Sequence, residues 1–134
     1  MNSLKVLICC LFFVAFQSAI AQQRYYYQKT QEILNGEEAS FPDSERKTRC
    51  LIFQSNSCQW EGEYVDEWNF GQYTRKPIVY NYVRNENGTR IYEFRTSSWT
   101  RIISVTPNYS QVCENSYYPT TGNYLFKVYN RVNQ

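Results

Sequence analysis

Four carboxylates fall within seven residues, Glu61, Glu63, Asp66 and Glu67, with Trp60 and Trp68 on either side. Paired carboxylates beside indole rings are the tools of a glycoside hydrolase, in which one acid protonates the leaving group while the second attacks or activates water. Glu61 and Glu63 are two apart, a spacing that puts both on one face of a strand, where they could share a proton or hold a cation. The chemistry goes no further, because the chain has no histidine. Its absence removes the commonest general base at neutral pH, the Ser-His and Cys-His nucleophile pairs and every zinc site that needs imidazole. No Asp-x-Asp-x-Asp-Gly loop is present for calcium. The cluster reads as a solvated acidic face, and no catalytic residue, metal or cofactor is expected.

The densest basic stretch is Arg46-Lys47-Thr48-Arg49. It has the Arg-x-x-Arg form cut by secretory convertases, and it also reads as a patch for an acidic partner or a sulfated glycan. Arg84, Arg90, Arg95 and Arg101 alternate with Tyr80, Tyr82, Tyr92 and Trp99, a mixture used on single-stranded nucleic acid. The formal net charge of only +2 argues against a nucleic-acid partner. Tyrosine occupies 13 positions, and its ring serves cores and contact surfaces equally well. The triplet Tyr25, Tyr26 and Tyr27 and the pair Tyr117 and Tyr118 stand outside clean alternation, so they join Arg46, Lys47 and Arg49 as candidate binding residues.

The compartment is legible at the N-terminus. Lys5 precedes an apolar run from Val6 to Phe16 and then small residues ending at Ala21, the pattern of a signal peptide over residues 1–21. The run is too short to span a bilayer, which takes ~20 residues, so the mature chain is expected to be secreted, with no membrane anchor. Cleavage removes Cys9 and Cys10 and leaves Cys50, Cys58 and Cys113. An odd number in an oxidising compartment predicts one disulfide and a leftover thiol, which is buried or links two chains into a homodimer. Cys58 with Cys113 is favoured because the longer loop constrains the unfolded chain more. Asn87 in Asn-Gly-Thr and Asn108 in Asn-Tyr-Ser are glycosylation sequons.

These residues must be positioned by a chain that changes character near Cys50. Residues 22–49 are polar, and "YQKTQEILNGEEAS" predicts a short helix stopped by Asn35-Gly36; the segment is a polar extension and a candidate propeptide. Residues 50–134 carry runs such as "CLIFQ", "PIVYNYV", "RIYEF", "WTRIISV" and "YLFKVYNRV" between Gly, Pro, Asn and Ser. That signature predicts a mainly β domain, a small antiparallel sandwich or barrel. The clearest hairpin is "IVYNYVRNENGTRIYEF": Asn87-Gly88 supplies the turn, Ile78, Tyr80 and Tyr82 share one face, and Tyr92 and Phe94 share the facing one, all pointing inward. No repeat is present and no family is identified. "CQWEGEYVDEW" lacks the Gly-x-Trp spacing of lipocalins, and the mature chain reads as short for their barrel.

The expected function is a secreted, non-enzymatic binding protein that sequesters or inhibits an extracellular protein, glycan or small ligand. A tyrosine-rich extracellular matrix protein is the alternative, weakened by the lack of repeats. A small carboxylate-dependent hydrolase is weakened by the missing histidine. A glycan on Asn87 would cover the hairpin tip, which places the binding surface elsewhere.

Overall fold

The computed structural model describes residues 22–133, so the expected signal peptide lies outside the described residues. The elements in chain order are β1 (Gln23–Leu34), β2 (Glu37–Glu38), a 3-10 turn (Asp43–Arg46), β3 (Arg49–Phe53), β4 (Ser57–Trp60), β5 (Tyr64–Asn69), β6 (Gln72–Pro77), β7 (Tyr80–Glu86), β8 (Thr89–Arg95), β9 (Thr100–Val105), β10 (Gln111–Tyr118) and β11 (Asn123–Arg131). Eight of these strands form an antiparallel barrel in the order β1-β3-β4-β7-β8-β9-β10-β11, closed by pairing of β11 with β1. Of the sandwich or barrel expected from strand patterning the barrel is present, and the chain is long enough for eight strands because most hairpins turn in a few residues. β5 and β6 pair only with each other and form a separate two-stranded arm.

The helix expected in the N-terminal extension is absent; Gln23–Leu34 is a strand. Its first half pairs with β3, from Gln23 opposite Phe53 to Tyr27 opposite Arg49. Its second half pairs with β11, from Tyr27 opposite Arg131 to Leu34 opposite Leu125, across a bulge between Lys29 and Gln31. β11, waiting with unpaired backbone groups along Gln28–Leu34, outweighs the weak helical preference of "QKTQEIL". Asn35-Gly36 is then the turn of a hairpin with β2, at φ of 51° and 85°, and not a helix stop.

Alternation fills the interior. Tyr27, Leu51, Phe53, Trp60, Tyr92 and Val112 are buried in one cluster, with Tyr27 meeting Trp60 edge-on at 6.0 Å between centroids. Such aromatic pairs contribute about 0.5–1.5 kcal/mol beyond their buried area. The expected inward face of the long hairpin holds for Ile78, Tyr80 and Tyr92, all buried. Tyr82 lies at the barrel mouth, 40% exposed, where a bulge between Tyr82 and Arg84 breaks the register.

The expected disulfide between Cys58 and Cys113 is not formed; Cys50, Cys58 and Cys113 are all free thiols. Barrel register explains why no pairing works. Cys58 lies opposite Tyr80 and faces the core. Cys113 neighbours Val112 and Glu114, which are buried inside, so its own side chain points outward. Cys50 lies opposite Tyr26 on the outer face, three strand steps from β10 across β1 and β11. At ~4.8 Å per strand step that is about 14 Å around the wall, against the ~4.4–6.8 Å between Cα atoms that a disulfide needs.

Candidate functional site

The hairpin turns of the barrel define two ends. The arm springs from one end between Glu63 and Ile78, whose backbones are tied by a hydrogen bond from Ile78 N to Glu63 O of 3.1 Å. Directly beneath this root the barrel interior is polar. The Glu63 carboxylate accepts from the Tyr80 hydroxyl at 2.6 Å, from Arg49 Nη2 at 3.3 Å and from Arg101 Nη1 at 3.4 Å. Glu114, buried, accepts from Trp60 Nε1 at 2.5 Å and faces Arg101 Nε at 3.9 Å. Arg101 Nε also donates to Ser116 Oγ at 2.8 Å, and its Nη1 to the Tyr80 hydroxyl at 3.1 Å. Two arginines and two glutamates thus interlock. Each charge is paired and hydrogen-bonded, as burial requires.

Strand alternation delivers these groups. Arg49 precedes Leu51 and Phe53 on the inner face of β3, Arg101 precedes Ile103 and Val105 on β9, and Glu114 and Ser116 follow Val112 on β10. Burial raises the Tyr80 and Tyr129 phenols well above their usual range. Burial alone would lower the Arg101 guanidinium, but Tyr80, Glu114 and Glu63 outweigh it and its pKa rises. Both arginines stay charged and tie the root of the arm to the barrel floor.

The arm carries aromatic surface into solvent. Tyr64 is 52% exposed, Trp68 60%, Tyr73 74% and Phe70 99%. Trp68 lies opposite Tyr73 with ring centroids 4.7 Å apart and planes inclined at 60°. On the same face Arg75 pairs with Asp66 at 3.4 Å, and on the other Lys76 pairs with Glu67 at 2.5 Å. At the tip Phe70-Gly71 makes the turn at φ of 47° and 85°. A bulky residue at positive φ is an outlier.

The acidic cluster is dispersed by this geometry. Glu61 and Glu63 do not share a strand face, because the chain turns at Glu61-Gly62. Glu61 pairs outside with Arg24 at 3.2 Å, whereas Glu63 is turned into the barrel. Asp66 and Glu67 belong to the arm. Glu63, Arg101 and Glu114, the centre of the polar cluster, were missed as a group; nothing in their spacing joins them before the barrel closes. Among the described residues no three metal-ligating side chains gather.

The residues selected for binding are scattered. Tyr27 is wholly buried with its hydroxyl donating to Tyr109 O at 2.8 Å, Tyr25 stacks on Tyr109, and Tyr26 lies on the outer face opposite Cys50. Arg46 is exposed and pairs with Asp43 at 3.3 Å. Lys47 lines a groove of about 370 Å³ with Lys29, Thr48, Lys127 and Tyr129, whereas Arg49 lines its floor and points inward to Glu63. Tyr117 stacks on Tyr124 at 4.5 Å on the outer wall, and Tyr118, next along the strand, turns to the other side. Asn87 and Asn108 both lie exposed, at the end of the barrel remote from the arm. No family model, no curated protein and no solved structure matches the chain.

Proposed function

We propose that this is a secreted, non-enzymatic binding protein that grips an extracellular protein with its β5–β6 arm. The observation that supports this best is Phe70. Three turns in the chain share the same pair of positive-φ positions: Asn35-Gly36, Phe70-Gly71 and Asn87-Gly88. Two place Asn at the first position, where its side chain tolerates that conformation. The third places Phe there with its ring almost entirely in water, at a conformational cost of order 1–3 kcal/mol. Neither folding nor solubility is served by that choice. A contact made when the arm is covered would be.

The surroundings fit a protein partner. Aromatic side chains ringed by paired charges are the make-up of an interface centre and its rim. The 60° inclination of Trp68 to Tyr73 does not offer a flat track for a chain of sugar rings. A free two-stranded ribbon is only marginally stable in water, and the buried charges under Glu63 and Ile78 hold its root in place, which lowers the ordering cost of binding. Both sequons lie at the opposite end, so glycans would leave the arm clear.

The test compares the secreted protein with Phe70→Ala and Trp68→Ala variants in capture from the native extracellular fluid, after circular dichroism shows equal folding. Each substitution should weaken retention of a specific protein by at least ~30-fold, the scale of an interface hot spot. Undiminished retention by both variants would remove the arm from the interface. Retention of glycan alone would replace the protein partner by a sugar.

A further inference from the structure

The barrel end remote from the arm carries positive charge with nothing to balance it. Among the described residues every arginine other than Arg90 and Arg131 stands in an ion pair. Arg90 and Arg131 instead rest on aromatic faces. The Arg90 guanidinium lies 4.4 Å from the Tyr109 ring centroid and that of Arg131 lies 4.4 Å from the Tyr25 centroid. The two tyrosines stack on each other at 4.6 Å and 27°. Two cations are therefore brought to one end of the barrel through a pair of stacked rings. Cation–π contact offsets part of their desolvation, but it neutralises no charge and accepts no N–H in the guanidinium plane.

Arg90 shows the deficit directly, because its Nη1 is sealed from water and has no hydrogen-bond acceptor. A buried donor without a partner is rare in native proteins and calls for a missing group. Arg90 lines a cleft of about 280 Å³ with Phe53, Tyr82, Tyr92 and Tyr109 as apolar walls and Gln54 and Asn56 at the rim. Tyr109 is held over it at a positive φ of 60°, again in a conformation that side chains of its kind seldom adopt. Gly88 fixes the neighbouring turn, since a Cβ there would meet Pro107 at 2.9 Å.

We infer that this cleft is a binding site for a small aromatic carboxylate, independent of the arm. A planar guanidinium matches a carboxylate through two parallel hydrogen bonds, and a rearranged Arg90 fork would give its orphaned Nη1 an acceptor. The aromatic walls ask for a flat apolar body behind the charge, which an inorganic anion lacks. The cleft is at the small end of ligand sites. Asn87 and Asn108 border the same end, so glycans there would admit a small molecule and obstruct a protein.

The mature protein is titrated by calorimetry with 4-hydroxyphenylacetate and, separately, with inorganic sulfate, and Tm is followed in parallel. The expected result is saturable binding of the aromatic carboxylate, a rise in Tm of order 5–10 °C at ~100 times Kd, and at least tenfold weaker response to sulfate. Arg90→Gln should weaken the carboxylate at least tenfold while leaving unliganded Tm equal or higher, because it deletes the unpartnered donor. Arg90→Lys, which keeps charge but loses the fork, should recover only part of the affinity. Equal binding of sulfate, equal affinity of Arg90→Gln, or no heat and no Tm shift with the aromatic carboxylate would each overturn the assignment.

Discussion

At the scale of single residues, Glu63 links the barrel interior to the arm, and it does so with both its carboxylate and its backbone. Glu63→Gln keeps the shape and removes the charge that Arg49 and Arg101 share, so two half-buried guanidinium groups would be left to Glu114. A loss of about 1–3 kcal/mol is expected. Faster amide exchange should appear at Ile78, whose N–H bonds to Glu63 O; unchanged Tm and unchanged exchange would show that the arm does not depend on this anchor. The phenols make a second expectation. Burial raises the Tyr27, Tyr80 and Tyr129 pKa values beyond the usual range and pushes Tyr92 up to about 12. In the unfolded chain these groups ionise near pH ~10. The folded state thus holds more protons above that pH, and stability is fully present below it and falls as pH climbs from ~10 towards 12. Ultraviolet titration should show a late class of tyrosines that ionises together with loss of near-ultraviolet circular dichroism. A single class titrating near pH ~10 with the fold intact would contradict the burial.

At the scale of elements, the three related turns predict a trade between stability and binding. Phe70→Asn gives the arm the residue that the other two turns use, and should stabilise the protein by about 0.5–1 kcal/mol through relief of backbone strain. The same variant should lose partner affinity as Phe70→Ala does; a variant more stable and equally active would mean that the ring has no role in contact. The turns also explain what could be read beforehand. The long hairpin was legible because Asn87-Gly88 is an unambiguous signal and Tyr80 and Tyr92 alternate cleanly about it. The arm was not, because Phe-Gly carries no such signal and Trp68 and Tyr73 have the composition of core residues; only a pairing partner decides whether such rings are covered. The N-terminal strand is hidden in the sequence for a related reason. "QKTQEIL" contains good helix formers, and the neighbour that overrides them, β11, lies at the far end of the described chain. Likewise, the faces of Cys50, Cys58 and Cys113 follow from barrel register, which spacing does not contain.

At the scale of the whole molecule, closure of the barrel rests on the segment that the Arg-x-x-Arg motif would release. β1 is the seam: it pairs with β3 on one side and β11 on the other, and it supplies Tyr27 to the core and Lys29, buried between Glu32 and Glu45, to the polar end. Arg49, the residue at the cleavage position, is turned inward onto Glu63 and the Tyr129 hydroxyl, so a protease would have to draw it out of the fold. Removal of residues 22–49 would expose the edges of β3 and β11 together with the rings of Trp60 and Tyr129. An open sheet with two long unpaired edges and an uncovered aromatic face is prone to aggregate. The chain beginning at Cys50 should therefore fail to give the cooperative unfolding and dispersed amide resonances of the chain beginning at Gln22. It should regain them when a separate peptide spanning residues 22–48 is added, because that peptide carries nearly all of the missing seam. A soluble fragment from Cys50 onward with the same Tm as the chain from Gln22 would show that the barrel closes without β1, and would restore the first segment as a dispensable extension.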